Sequence, residues 1–330
     1  MKKQWAFLFV VIFLFAAQFS SGGLFAAESG EERLNYRLKW LVNASVLGDL
    51  YAREMGAFQK AGLDVTVKEG GPERDAIREL ELGYADFGVA SADQVIRARS
   101  KGSPVVVLAQ LFQVNPLQWI YRADLIHVSS VQDLKGKIVG VTFGGNDETI
   151  MRTLLATGGM SERDVQIHSV RYDLTPFYRR QADLWPVYVN SQGPIIRQKL
   201  NQAGEEVAFF NPSAHGVRFV ANSVVTSERL VRENPGTVKR FMQALLSGWE
   251  AGFNPENAQA ALDLLTRFDK NTPRPILEKQ LAMTRMLVKP AAAVAIGTFD
   301  VEAWRQTEQI MLEQKQIPAP VNVVEKLIRF

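Results

Sequence analysis

The chain has 330 residues, 38 Lys plus Arg against 35 Asp plus Glu, an apolar fraction of 47% and no cysteine. The missing thiols exclude disulfides, thiolate metal sites and a lipid anchor on cysteine, so the chain must be held by its core. The formal charge of +3 includes Lys2 and Lys3, and no basic run interleaved with aromatics occurs, which excludes an obvious nucleic-acid footprint.

Met1-Lys2-Lys3-Gln4 is basic, residues 5–19 are apolar apart from Gln18, and small residues follow at 20–23 and again at Ala26-Ala27. That order is expected of a removable secretory signal over 1–27, and the apolar run is shorter than the ~20 residues a spanning helix needs. About 300 residues would remain, more than one hydrophobic core comfortably spans, so two lobes are expected.

From residue 36 onward short β-like runs alternate with helical ones. Strands are expected over 36–42, 63–69, 85–90 and 104–112, with helices over 46–61, 73–82 and 93–100 between them. A second cycle has strands over 117–122, 137–143, 165–170, 184–189 and 207–210, helices over 147–157, 176–181 and 194–203, and a last β-like run over 217–225. Amphipathic helical stretches follow over 227–253, 255–268, 274–287 and 300–316, with breaks at Asn234-Pro235 and Asn254-Pro255. Such alternation predicts an α/β fold of largely parallel sheets covered by helices. No Gly/Ser linker separates the cycles, so the lobes should be joined by crossing segments, expected near 122–124 and 214–221.

Catalytic constellations are sparse. His127, His168 and His215 show no i, i+4 pairing, and neither a phosphate-binding Gly-Lys loop nor a Gly-x-Ser-x-Gly elbow is present. Phe143-Gly144-Gly145-Asn146-Asp147-Glu148-Thr149 follows a strand and opens a helix without forming a dinucleotide fingerprint. Its backbone N–H groups could serve an anionic or carbonyl oxygen, or the glycines could simply turn the chain while Asn146 or Asp147 caps the helix.

Several stretches together carry a family resemblance. Leu38-Lys39-Trp40 with Asn43 and Gly48, the segment from Tyr51 to Phe58, Gly62-Leu63-Asp64-Val65, the segment Gly83 to Val89, the segment Asp133 to Val141, Tyr188-Val189-Asn190-Ser191-Gln192 and Glu233-Asn234-Pro235 keep one order and spacing. They resemble the solute-binding family that includes nitrate-, sulfonate- and taurine-type ABC transporter proteins and the thiamine-pyrimidine group. The resemblance implies a two-lobed periplasmic binding protein of type II, with mostly parallel central sheets flanked by helices and a ligand cleft between lobes. The first lobe would take 34–121, the second 122–215, and 216–330 would return to the first lobe. It further implies a monomer outside the inner membrane that hands a small organic nutrient, a pyrimidine-like or related heteroaromatic, to an ABC permease by hinge closure, with no cofactor, metal or catalytic residue.

The thiamine-pyrimidine group also contains a pyrimidine synthase, whose reacting Lys and His would fall at Ala90 and Gln94 here and whose cysteine-rich run has no counterpart. A synthase-like enzyme, a nitrate, sulfonate or taurine binder and a ligand sensor for a membrane kinase are the alternatives. Carried over by position, the family's pocket falls on Trp40, Asn43, Ser91, Asp93, Gln94, Asn115, Gly145, Asn146, Glu148, Tyr188, Asn190, Gln192 and His215. Each has a plainer role available: core packing for Trp40, helix capping for Asp93, the helix dipole for Glu148, a hinge hydrogen bond for His215. By strand period one of Trp185 and Tyr188 should face the core, and Tyr188 is assigned to the pocket. An aromatic-plus-amide set suits a flat, neutral or zwitterionic ring better than a bare oxyanion.

Overall fold

The computed structural model describes residues 31–71, 74–170 and 173–330; the expected secretory segment lies outside them. Among the described residues, ten strands form two five-stranded sheets. The first contains β1 (Glu32–Arg37), β2 (Leu63–Lys68), β3 (Phe87–Ala90), β4 (Val105–Gln110) and β10 (Ser223–Ser227) in the order β2-β1-β3-β10-β4. The second contains β5 (Leu117–Arg122), β6 (Ile138–Val141), β7 (Gln166–Ser169), β8 (Leu184–Tyr188) and β9 (Val207–Phe210) in the order β7-β6-β8-β5-β9.

In each sheet all strands but one share a direction. The exceptions are β10, antiparallel to β3 and β4, and β5, antiparallel to β8 and β9. Both are strands that have just arrived from the other sheet. A chain crossing between sheets enters from the side where the other strands end, so it must run against them.

That geometry corrects the expected first crossing at 122–124. The chain leaves the first sheet at Gln110 and enters the second at Leu117, so it crosses in 111–116. Arg122 lies at the far end of β5, paired with Glu205 and stacked 4.7 Å over the Phe177 ring. The return runs through 211–222, and only the end of the expected 217–225 run becomes a strand.

The helices are α1 (Leu47–Glu54), α2 (Ala57–Lys60), α3 (Ala76–Glu81), α4 (Ala92–Ser100), α5 (Asn146–Thr157), α6 (Thr175–Tyr178), α7 (Gln192–Gln202), α8 (Glu228–Glu233), α9 (Pro235–Gly252), α10 (Ala258–Phe268), α11 (Arg274–Val288) and α12 (Val301–Glu313). The single helix expected over 46–61 is divided at Gly56, whose φ of 69° ends one helix and starts the next. At the other named breaks the outcome matches the chemistry: Pro235 occupies the first turn of α9, where a missing N–H costs nothing.

The first sheet's core is aromatic. Phe241 of α9 stacks on Phe87 at 3.7 Å between centroids and meets Tyr36 edge-on at 5.3 Å. α9 lies against α1 where Gly248 faces Ala52 and Gly48 faces the Trp249 ring, contacts that only a missing side chain permits. A separate cluster around Trp119, Val139 and Leu154 fills one face of the second sheet, with Trp119 Nε1 donating to the Gly140 carbonyl at 2.9 Å. Among the described residues, no helix is long and apolar enough to cross a membrane.

Candidate functional site

Between the two sheets opens a cleft of about 760 Å³. Its lining follows from strand direction. Lys39 and Trp40 come after β1, Ser91 after β3, Thr142 and Gly144 to Asp147 after β6, Val170 after β7, and Ser191 and Gln192 after β8. Leu117 and Asn222 border it from just before or at the start of the two reversed strands. Strand ends gather loops and helix starts at one place, which is where open α/β sheets take ligands.

On the first sheet's side a polar network holds the wall. Ser91 starts α4 in a capping box with Gln94, whose side-chain oxygen accepts from the Ser91 N–H at 3.1 Å. The Ser91 hydroxyl donates to Asp93 Oδ1 at 2.6 Å, and Gln94 Nε2 donates to Asp75 Oδ2 at 2.9 Å. Asp75 itself caps α3 by accepting from the Arg78 N–H. Asn43 likewise accepts from the Ser45 N–H at 2.8 Å and shapes the turn after Trp40.

On the second sheet's side, Gly144 has φ 78°, a left-handed value that glycine adopts without strain, and the loop then runs into α5. Asp147 Oδ2 accepts from the Thr142 N–H at 2.7 Å, and Glu148 accepts from the Gly144 N–H at 2.7 Å. Glycine turns the loop as the plainer reading expects, but the helix starts after Gly145 with no side-chain cap, so neither Asn146 nor Asp147 caps it; Gly145 and Asn146 line the cleft. Burial pushes the Asp147 carboxyl up to about 6, against the lowering pull of its hydrogen bonds to Thr142.

A family model described as NMT1/THI5-like matches residues 43–258. The chain belongs to that family. Its relatives include a riboflavin-binding protein of Chloroflexus aurantiacus, 28% identical over 72% of this chain and 67% of the relative, and a formylaminopyrimidine-binding protein of Halalkalibacterium halodurans, 25% identical over 91% and 89%. A 4-amino-5-hydroxymethyl-2-methylpyrimidine phosphate synthase of Legionella pneumophila is 24% identical over 78% and 81%. The periplasmic aliphatic sulphonate-binding protein of Escherichia coli superposes with a TM-score of 0.70, at 16% identity over 90% of this chain and 92% of that one, which shows the shared two-lobed periplasmic binding-protein fold.

Within this NMT1/THI5-like frame, Trp40, Asn43, Ser91, Asp93, Gln94, Gly145, Asn146, Tyr188 and Gln192 come together around the cleft. The other four positions carried over from the family lie elsewhere. Asn115 donates to the Phe219 carbonyl at 2.7 Å and accepts from the Leu117 N–H, tying the two crossings together. Asn190 is fully buried, and its Nδ2 donates to Ser45 Oγ and Thr284 Oγ1, each at 2.9 Å. Glu148 holds Gly144 and pairs with Arg152 at 2.8 Å. His215 ends a turn over Pro212–His215 and stacks on Phe210 at 4.5 Å. In each case nearby protein partners hold the group, although Asn190 Oδ1 is buried with no hydrogen-bond partner among the described residues.

The strand-period argument also needs amendment. Trp185 is buried against Phe177 yet borders the cleft together with Tyr188. Sequence reasoning missed Lys39, Arg78, Arg97, Lys101, Asp147 and Asn222 as lining. Helical spacing from Gln94 points to Arg97, Ala98 and Lys101 on one face, a signal that could have been followed; nothing comparable marks Arg78 on α3. Among the described residues no group of His, Asp and Glu is placed to hold a metal ion.

Proposed function

We propose that this chain is the solute-binding part of an uptake system, closing two lobes on a small heteroaromatic molecule. The observation that carries the reading is the cleft itself, of the size that encloses small organic ligands, with Trp40 on one wall and Trp185 and Tyr188 on the other. Flat rings between aromatic side chains gain buried area and favourable ring geometry together. The names of the riboflavin- and formylaminopyrimidine-binding relatives support the same ligand class.

In this reading one lobe comprises 31–110 and 223–330, the other 117–210, and the segments 111–116 and 211–222 act as the hinge, stapled by Asn115. Export through removal of the first 27 residues and delivery to a membrane permease complete the proposal. The nine cleft-lining positions are its ligand contacts. Synthase chemistry is the second reading, motivated by the Legionella relative. Ala90 and Gln94 stand where the resemblance places the reacting amine and imidazole, and they offer neither.

Thermal and urea unfolding with hydroxymethylpyrimidine, riboflavin or an alkanesulfonate tests the reading. A ring that binds at a hundredfold excess over its Kd should add about 2.7 kcal/mol of stability. Mass spectrometry after long incubation should recover it unchanged. Stabilisation by neither ring overturns the heteroaromatic binder, and turnover of a bound ring overturns the non-enzymatic role.

A further inference from the structure

Among the described residues, five buried side-chain atoms have no hydrogen-bond partner, on Ser103, Arg122, Asn190, Asn222 and Gln280. A buried polar group left unpaired costs stability, so each calls for a reason. Arg122, Asn190 and Gln280 each bond the protein through another atom of the same group, and Ser103 lies away from the cleft. Asn222 differs on both counts. It borders the cleft, and neither its Oδ1 nor its Nδ2 makes a hydrogen bond among the described residues.

Its backbone, in contrast, is firmly held. Asn222 precedes β10, whose Ser223 pairs with Ala90 of β3 and Gln110 of β4, so the register sets Asn222 beside Ser91 on the cleft wall. The Asn222 carbonyl accepts from the Leu111 N–H at 3.0 Å and from the Phe112 N–H at 3.2 Å, which fastens the return crossing to the outward one. A fixed backbone therefore carries an amide that the protein does not engage. The last torsion of asparagine is soft, so the group turns at little cost. A carboxamide offers an acceptor beside an N–H donor, the complement of a ring edge with an N–H next to a carbonyl or an unprotonated ring nitrogen. Such an edge satisfies both atoms at once, whereas an anion would leave Oδ1 unpaired.

Resting on the reading of the cleft as a heteroaromatic site, we propose that Asn222 is a tenth ligand contact, which pairs through Oδ1 and Nδ2 with a donor–acceptor edge of the ring and selects rings that carry one. Because both crossings meet at this residue, the ligand then grips the hinge as well as the walls.

Titration calorimetry with two matched pairs tests this: hydroxymethylpyrimidine with the analogue that lacks its amino group, and riboflavin with the derivative methylated at its imide nitrogen. The second member of each pair keeps the ring and loses the N–H of the edge. For the ring that binds wild type, that loss should weaken binding at least about tenfold, since a site built around a hydrogen bond rejects a ligand that cannot make it. In Asn222→Leu and in Asn222→Ala the parent should bind at least about tenfold more weakly than to wild type, and the two members of the pair should then bind alike. Circular dichroism melts confirm that the variants fold. A loss of the N–H that costs as much in both variants as in wild type, or a parent that binds both variants as tightly as wild type, overturns the inference and leaves the binder reading standing. Failure of both parents to bind wild type overturns the two together.

Discussion

Replacing Asp49 by Asn should change how stability depends on pH. Asp49 sits on α1 under the first sheet, buried, and its Oδ1 accepts from the Tyr36 hydroxyl at 2.6 Å and from Trp249 Nε1 at 3.3 Å. Burial raises its carboxyl from the ordinary 3.8 to about 7, against the lowering effect of those two hydrogen bonds. Because the folded value lies above the unfolded one, the folded state binds the proton more tightly. Its contribution is full below about pH 4 and is lost as pH rises through about 7. The gap between the two values corresponds to about 4 kcal/mol at most. Asparagine keeps the accepting oxygen but adds N–H donors without clear partners, which costs about 1–3 kcal/mol. Urea unfolding across pH 4–8 should therefore show wild-type stability falling over this range and the Asp49→Asn curve falling less. At pH 8 the variant should equal or exceed wild type by up to about 3 kcal/mol, the difference of the two terms above. Asp147 titrates in the same direction nearer pH 6, so a residual slope is expected in the variant. Parallel curves, or a variant less stable at pH 8 than at pH 4 by the full wild-type amount, would refute the argument that burial dominates at Asp49.

Gly248→Ala places a methyl group 2.4 Å from Ala52 Cβ and 2.5 Å from its Cα, and backbone cannot yield as a flexible side chain would, so the substitution should lower the free energy of unfolding by about 1–3 kcal/mol or more. An unchanged Tm would mean that α1 and α9 do not meet there. Trp40→Ala and Tyr188→Ala should each weaken a bound heteroaromatic by about 1–3 kcal/mol with little loss of stability. Fluorescence titration measures this, and full affinity in both variants would remove the two rings from the site. Asn190→Ala strips two buried hydrogen bonds that join the second sheet's loop to Ser45 and α11, and should lower stability by about 1–3 kcal/mol while affecting affinity less than Trp40→Ala does. Collapse of binding at unchanged stability would instead make Asn190 a ligand contact.

The linear sequence determined the order of elements, because hydrophobic periodicity and the punctuation by Gly and Pro are local signals. The edges of β5 and β9 follow directly from their apolar runs, and Asn234-Pro235 divides α8 from α9 as its chemistry requires. Local signals also placed Gly145 and Asn146 at a helix start, and that start borders the cleft. What the sequence left open was where the chain changes sheets, since a strand reads alike whether it runs with or against its neighbours. Only pairing across the sheet shows β5 and β10 to be the reversed strands and moves the first crossing to 111–116. The fate of polar side chains was equally non-local. Asn190 and Gln192 stand two residues apart, yet one is claimed by Ser45 and Thr284 from distant segments while the other borders the cleft.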